Sequence, residues 1–157
     1  MIDERDVEDF LSFHRYAVVG ASEDKDNFGG TICREMTSRG YDVVAVHPRA
    51  KSVDGIAAYA DLASVPGDLD GVIVMVPADR SADVVRACLQ RGVERVWLFQ
   101  GASGGGSVSP EAVELCQQHG IQVIAGACPM MFLKPVGWFH RVHRAARRQN
   151  GSLVKAS

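Results

Sequence analysis

The sequence predicts a doubly wound α/β domain, a parallel sheet of five or six strands with helices on both faces. Three observations carry that prediction. Strand-sized apolar runs alternate with helical segments along most of the 157 residues. The runs are continuously apolar rather than alternating, as strands covered on both faces are. The loops between them are short, and strand–helix–strand repetition with short loops is how parallel strands are connected. The length is one domain's worth. With 46% hydrophobic and 23% charged residues, the chain is ordinary globular material that needs neither disulfide nor metal to fold.

The elements follow in order. An acidic start, with five acids and one arginine in the first ten residues, opens an amino-terminal helix. Tyr16–Val19 is the first strand, ended by Gly20 and a polar loop. A helix is expected over 29–39 and is stopped by Gly40. Val43–Val46 is the second strand, broken by His47-Pro48, and a short strand near 56–58 and a helical turn at 61–64 follow. Val72–Val76 is a strand ending at Pro77, followed by a helix over 82–90 that stops near Gly92. Val96–Phe99 is the next strand, and residues 101–107 form a Gly-Ser patch, read either as a flexible lid or as a solvated linker. A helix over 110–119, with Pro110 in its first turn and Gly120 beyond it, leads to the last strand, 121–125. The domain is placed at 1–133, and 134–157 forms a basic helix and tail.

Several function classes are set aside by composition. A net charge of −2 does not suit a protein that coats a polyanion. No apolar stretch approaches the ~20 residues of a membrane span. The acidic start is the opposite of a signal peptide, so a cytoplasmic location is expected. The four cysteines form no C-x-x-C pair. Cys33, Cys88 and Cys116 fall on apolar helix faces and are expected buried and reduced; Cys128 follows the last strand and is expected to be packed and inert, the alternative being an approach to a ligand's thiol.

The chemistry concentrates in the first loop. A glycine that ends the first strand and leads into a helix stands where nucleotide folds receive phosphate. At Gly20 the missing Cβ lets backbone amides approach an anion, so valine there should abolish ligand binding in a folded domain. This is not G-x-G-x-x-G: Ser22 follows, and the paired glycines come later, at 29 and 30. An NAD site also needs an acid at the end of the second strand. That place holds His47-Pro48-Arg49, with Lys51 beyond, while Asp42 lies at the strand's other end. A basic residue there suits extra phosphate near a ribose, which admits both NADP and coenzyme A with its 3′-phosphate.

These residues resemble the small stand-alone CoA-binding domain proteins, relatives of the CoA-binding domain of the succinyl-CoA synthetase alpha subunit. The matching pieces are AVVGAS at 17–22, VHPRA at 46–50, GIAAYADLASVP at 55–66, VIVMVPA at 72–78, RGVERVWLFQG at 91–101 and HGIQVIAGACP at 119–129. The resemblance covers about residues 5 to 130. It implies a Rossmann-like fold and coenzyme A as ligand. It carries the phosphate-binding role to Gly20, Ala21 and Ser22, and the basic-residue role to Arg49 after His47-Pro48, with His47 standing where asparagine is commoner. It places the ligand's path past Val76, Pro77 and Ala78, and a basic residue near the phosphates at Lys25.

Two departures stand out: a longer Gly-Ser stretch at 103–107, and a tail whose six Lys or Arg residues, without an acid, nothing in the resemblance explains. His140 and His143 are three apart on an expected helix, but no third metal ligand accompanies them. None of the five histidines stands in a nucleophile–base arrangement. The expected function is therefore binding of coenzyme A or acyl-CoA without catalysis of its own. Two alternatives remain open: an NADP-type oxidoreductase or redox sensor, and a module that binds nucleic acid or protein, a second copy included, through the basic tail.

Overall fold

The computed structural model describes residues 2–21, 28–49, 51–101 and 105–133. Asp3 caps the first helix, its carboxylate accepting the Arg5 N–H at 2.8 Å, and α1 (Glu4–Leu11) buries Val7, Phe10 and Leu11. After it come β1 (Arg15–Val19), α2 (Phe28–Ser38), β2 (Asp42–Val46), β3 (Ser52–Val53) and β4 (Ile56–Tyr59). The second half is β5 (Gly71–Val74), α3 (Ala78–Arg91), β6 (Arg95–Phe99), α4 (Pro110–Gln118) and β7 (Gln122–Ala127). Short 3₁₀ turns stand at Leu62–Ser64 and Pro129–Met131.

The sheet order is β3-β4-β2-β1-β5-β6-β7, and every pairing is parallel except β3 with β4. The six parallel strands, counted along the chain, stand 3-2-1-4-5-6, the order of a dinucleotide-binding sheet. There are seven strands rather than five or six. The extra one, β3, is two residues long and pairs back onto β4 across Asp54-Gly55, whose φ values of 50° and 80° make the tight turn. Nothing so short has an apolar run to announce it.

Successive strand residues feed opposite faces. Tyr16, Val18, Val43, Ala45, Ile73 and Trp97 pack with α1 and with Ile32, Cys33 and Met36 of α2. Ala17, Val19, Val44, Val72, Val74 and Leu98 pack with Val85 and Cys88 of α3 and Ala112 and Cys116 of α4. Both faces are thus covered, as the unbroken apolar runs required.

Two boundaries moved in ways that bear on the site. β5 stops at Val74 rather than Val76, because Met75 makes its bond to Val19 just as β1 turns away at Gly20. α3 starts at Ala78, four residues before its expected start, capped by Pro77. Its first turn, Ala78-Asp79-Arg80-Ser81, has no large apolar residue, so no apolar periodicity marks it. β7 runs to Ala127 with a register shift against β6, and Gly126, at φ 109°, lies in it.

Candidate functional site

β1 hands the chain to α2 on one face, and β5 hands it to α3 on the other. Where such connections part, the carboxyl edge of the sheet opens into a crevice. Gly20 stands at that point. Its N–H donates to Val46 O at 3.0 Å, and the Met75 N–H donates to Val19 O at 2.8 Å. At φ 103°, a Cβ on Gly20 would lie 2.9 Å from the Met75 carbonyl carbon and 3.0 Å from its oxygen. Glycine is therefore required to fit one strand end against the next, before any ligand arrives. The expectation that valine at 20 leaves a folded domain is corrected accordingly. Ala21, fully buried, follows it.

Beside this point lies a cleft of about 420 Å³. Phe28 and Gly29, which open α2, form one wall; Met75, Val76, Pro77 and Ala78, crossing from β5 to α3, form the floor; Phe99 and Gly106 close the far side. Phe28 is 62% exposed, and its ring centroid lies 6.2 Å from that of Phe99. Among the described residues that line it, none carries a titratable or nucleophilic side chain.

Ser107 locks this wall. Its hydroxyl donates to Val76 O, its N–H donates to Phe99 O at 2.7 Å, and its carbonyl accepts the Ser81 hydroxyl at 2.5 Å. Both serines are fully buried. Gln100 and Gly106 form an antiparallel bridge, and the Gly101 N–H donates to Gly105 O at 2.8 Å. The described ends of the Gly-Ser stretch are thus clasped to the cleft, while residues 102–104, on which the expectation of a lid or a solvated linker also rests, lie outside the described residues. Phe28, Met75, Phe99, Gly106, Ser81 and Ser107 were not singled out in the sequence. Met75 and Phe99 read as strand residues, Phe28 fell in the polar loop before the expected helix, and Gly106 and Ser107 read as linker.

On the other side of Gly20, the His47 N–H donates to Tyr59 O at 2.9 Å. The Arg49 N–H donates to His47 Nδ1 at 3.1 Å. An imidazole Nδ1 here does what an asparagine side-chain oxygen does, bonding the N–H two residues on. That explains why histidine can replace the commoner asparagine. Pro48, Arg49 and Lys51 are exposed, and neither cation enters an ion pair among the described residues. Asp42 stands at the opposite end of β2, paired with Arg15 at 3.2 Å. The structure thus brings Gly20, Ala21, His47 and Val76–Ala78 to three adjoining strand ends, with Arg49 at the β2 corner. Ser22 and Lys25 lie outside the described residues, as do His140, His143 and the whole basic segment 134–157.

Burial pushes the thiols of Cys33 and Cys88 up to about 12 and that of Cys116 to about 11. None is a nucleophile at neutral pH. Cys128 is half-buried beyond β7 and does not line the cleft. Among the described residues no group of three His, Cys, Asp or Glu could hold a metal, and no helix is long and apolar enough to cross a membrane.

Residues 14–134 match the family model described as a CoA binding domain. The chain belongs to that family. This CoA-binding domain is 28% identical over 125 residues to the alpha subunit of the ADP-forming acetate–CoA ligase II of Pyrococcus furiosus, a match covering 76% of the chain and 27% of the relative. It is 26% identical over 117 residues to the ADP-forming acetate–CoA ligase I of Archaeoglobus fulgidus, covering 71% and 17%. The domain therefore spans about a quarter or less of the length of these relatives. Among solved structures, a conserved hypothetical protein of Pyrococcus furiosus aligns with a TM-score of 0.70 at 26% identity, covering 77% of this chain and all of that one. The dinucleotide-forming acetyl-coenzyme A synthetase 1 of Ca. Korarchaeum cryptofilum, in complex with phosphate and ADP, aligns with a TM-score of 0.65 at 27% identity, covering 77% and 27%.

Proposed function

We propose that this domain binds coenzyme A or an acyl-CoA across the carboxyl edge of its sheet, without a reaction of its own. The position of the cleft carries the proposal. It lies at the strand-order reversal, between the amino-terminal ends of α2 and α3, where backbone N–H groups and helix dipoles favour an anion. Pro77 caps α3 without a side-chain hydrogen bond. Gly20 and Ala21 lead the chain into the phosphate-binding loop. Arg49 stands at the end of β2, where a ribose phosphate lies in such folds.

The curated relatives are CoA ligases, and the part of them that this domain matches is the CoA-binding part alone. The described residues of the cleft wall carry no titratable side chain, which supports holding a ligand rather than transforming it. Titration calorimetry with CoA, NAD and NADP tests the ligand: CoA should bind tightest and NAD not at all, since no acid faces the ribose. NADP binding tighter than CoA would overturn the proposal. Steady release of thiol from an acyl-CoA would overturn its non-catalytic part.

A further inference from the structure

The cleft wall has a chemistry that coenzyme A as a whole does not share. Phe28, Met75, Val76, Pro77, Ala78 and Phe99 offer no side-chain hydrogen bond. Resting on the coenzyme A reading above, we infer that the cleft is an acyl pocket, and that the ligand is a thioester of an apolar acyl group of at least four carbons.

Topology orients the ligand. In a 3-2-1-4-5-6 sheet the adenosine end lies toward the second strand, and the rest of the ligand crosses to the other side of the reversal. Arg49 marks the adenosine end, so the arm that carries the thioester points to the β5–β6 side, where the cleft is. A free thiol gains little among these side chains, and a carboxylate finds no hydrogen-bond donor among them. An alkyl or aryl group gains contact with every wall.

Size and exposure agree. A volume of about 420 Å³ holds on the order of a dozen waters, far more than a two-carbon acetyl group fills. Phe28 is one of two large hydrophobic side chains left exposed among the described residues, and it stands at the mouth of this cleft. An acyl chain lying against Phe28 and Phe99 would cover it. The opposite wall is already locked by Ser107 and by Gly106, whose added Cβ would lie 2.5 Å from Phe99 O, so little ordering remains to be done on binding.

The test is calorimetry on the full chain with CoA, acetyl-CoA, succinyl-CoA and hexanoyl-CoA. A fully buried methylene is worth about fourfold in affinity. With part of the chain buried in an open cleft, hexanoyl-CoA should bind at least about tenfold more tightly than acetyl-CoA, succinyl-CoA or free CoA. Phe28→Ala should narrow the hexanoyl-to-acetyl gap to about twofold, and Phe28→Leu should keep most of it. Hexanoyl-CoA and free CoA binding alike would overturn the acyl pocket while leaving coenzyme A as the ligand. Failure of all four to bind would overturn the coenzyme A reading itself, and the pocket with it. The wild-type series decides both points without any variant.

Discussion

On the β2 side of Gly20, Pro48 and Arg49 stand in water beside half-buried His47, their turn held by two backbone N–H bonds, one of them to the His47 ring nitrogen. On the β5 side, Met75 to Ala78 are gripped by Ser107 and faced with apolar side chains. The first corner offers charge on a long, mobile side chain and needs no fixed shape. The second offers shape without charge, and shape must be built before the ligand arrives. One edge thus presents charge at one corner and apolar shape at the other, as the proposed ligand, anionic at one end and apolar at the other, would require.

The largest expected effect strikes the boundary between the two corners. Gly20→Val combines a φ of 103° with a Cβ pressed on the Met75 backbone. It should cost about 4 kcal/mol or more, read by urea denaturation, and not merely abolish binding. A variant as stable as wild type would show that the two strand ends can separate. Gly106→Ala comes next. Its Cβ would lie 2.5 Å from Phe99 O and 2.7 Å from Gln100 Cα, both backbone, so about 2–3 kcal/mol should be lost. No equivalent backbone contact exists at the exposed corner, and alanine at 48 or 49 should leave the melting temperature within error.

Arg49→Ala separates the corners by ligand rather than by stability. It should weaken CoA by about 10-fold and at most 150-fold, the worth of roughly 1.5–3 kcal/mol for a charge-assisted contact, while dephospho-CoA changes little. Exposure places the effect at the lower end, and added salt should shrink it. Lys51 stands close in sequence, so the double variant should lose more. Equal losses for both ligands would show that Arg49 does not meet the 3′-phosphate. The smallest effect belongs to His47. His47→Asn keeps an acceptor for the Arg49 N–H and should fall within about 0.5 kcal/mol of wild type, whereas His47→Ala should cost about 1 kcal/mol. Both are read from thermal melts.

Much of the charged corner was legible in the chain, because recognition there depends on residue type next to a strand end. VHPRA after an apolar run is enough to place a basic residue at the carboxyl edge, and the missing acid is equally plain. The apolar corner was half legible. Val76-Pro77-Ala78 could be placed at a strand end. Phe28 and Phe99, 71 positions apart by their own numbers, could not be paired, because one lay in a polar loop and the other read as an ordinary apolar strand residue. Ser107, inside a Gly-Ser patch, looked like solvent-facing linker. Only its three hydrogen bonds show it as a buried clasp.

The sequence by itself determined the layers. Continuous apolar runs demand cover on both faces, and short helical crossovers demand parallel strands, so local periodicity and chain length suffice. It also determined which strand end carries glycine and which carries arginine. Tertiary structure alone decided the strand order, the clasp and the cleft, since each arises from contacts between segments far apart in the chain. It also decided why Gly20 must be glycine. The atoms a side chain would strike belong to Met75, 55 residues further on, and no local pattern records that distance.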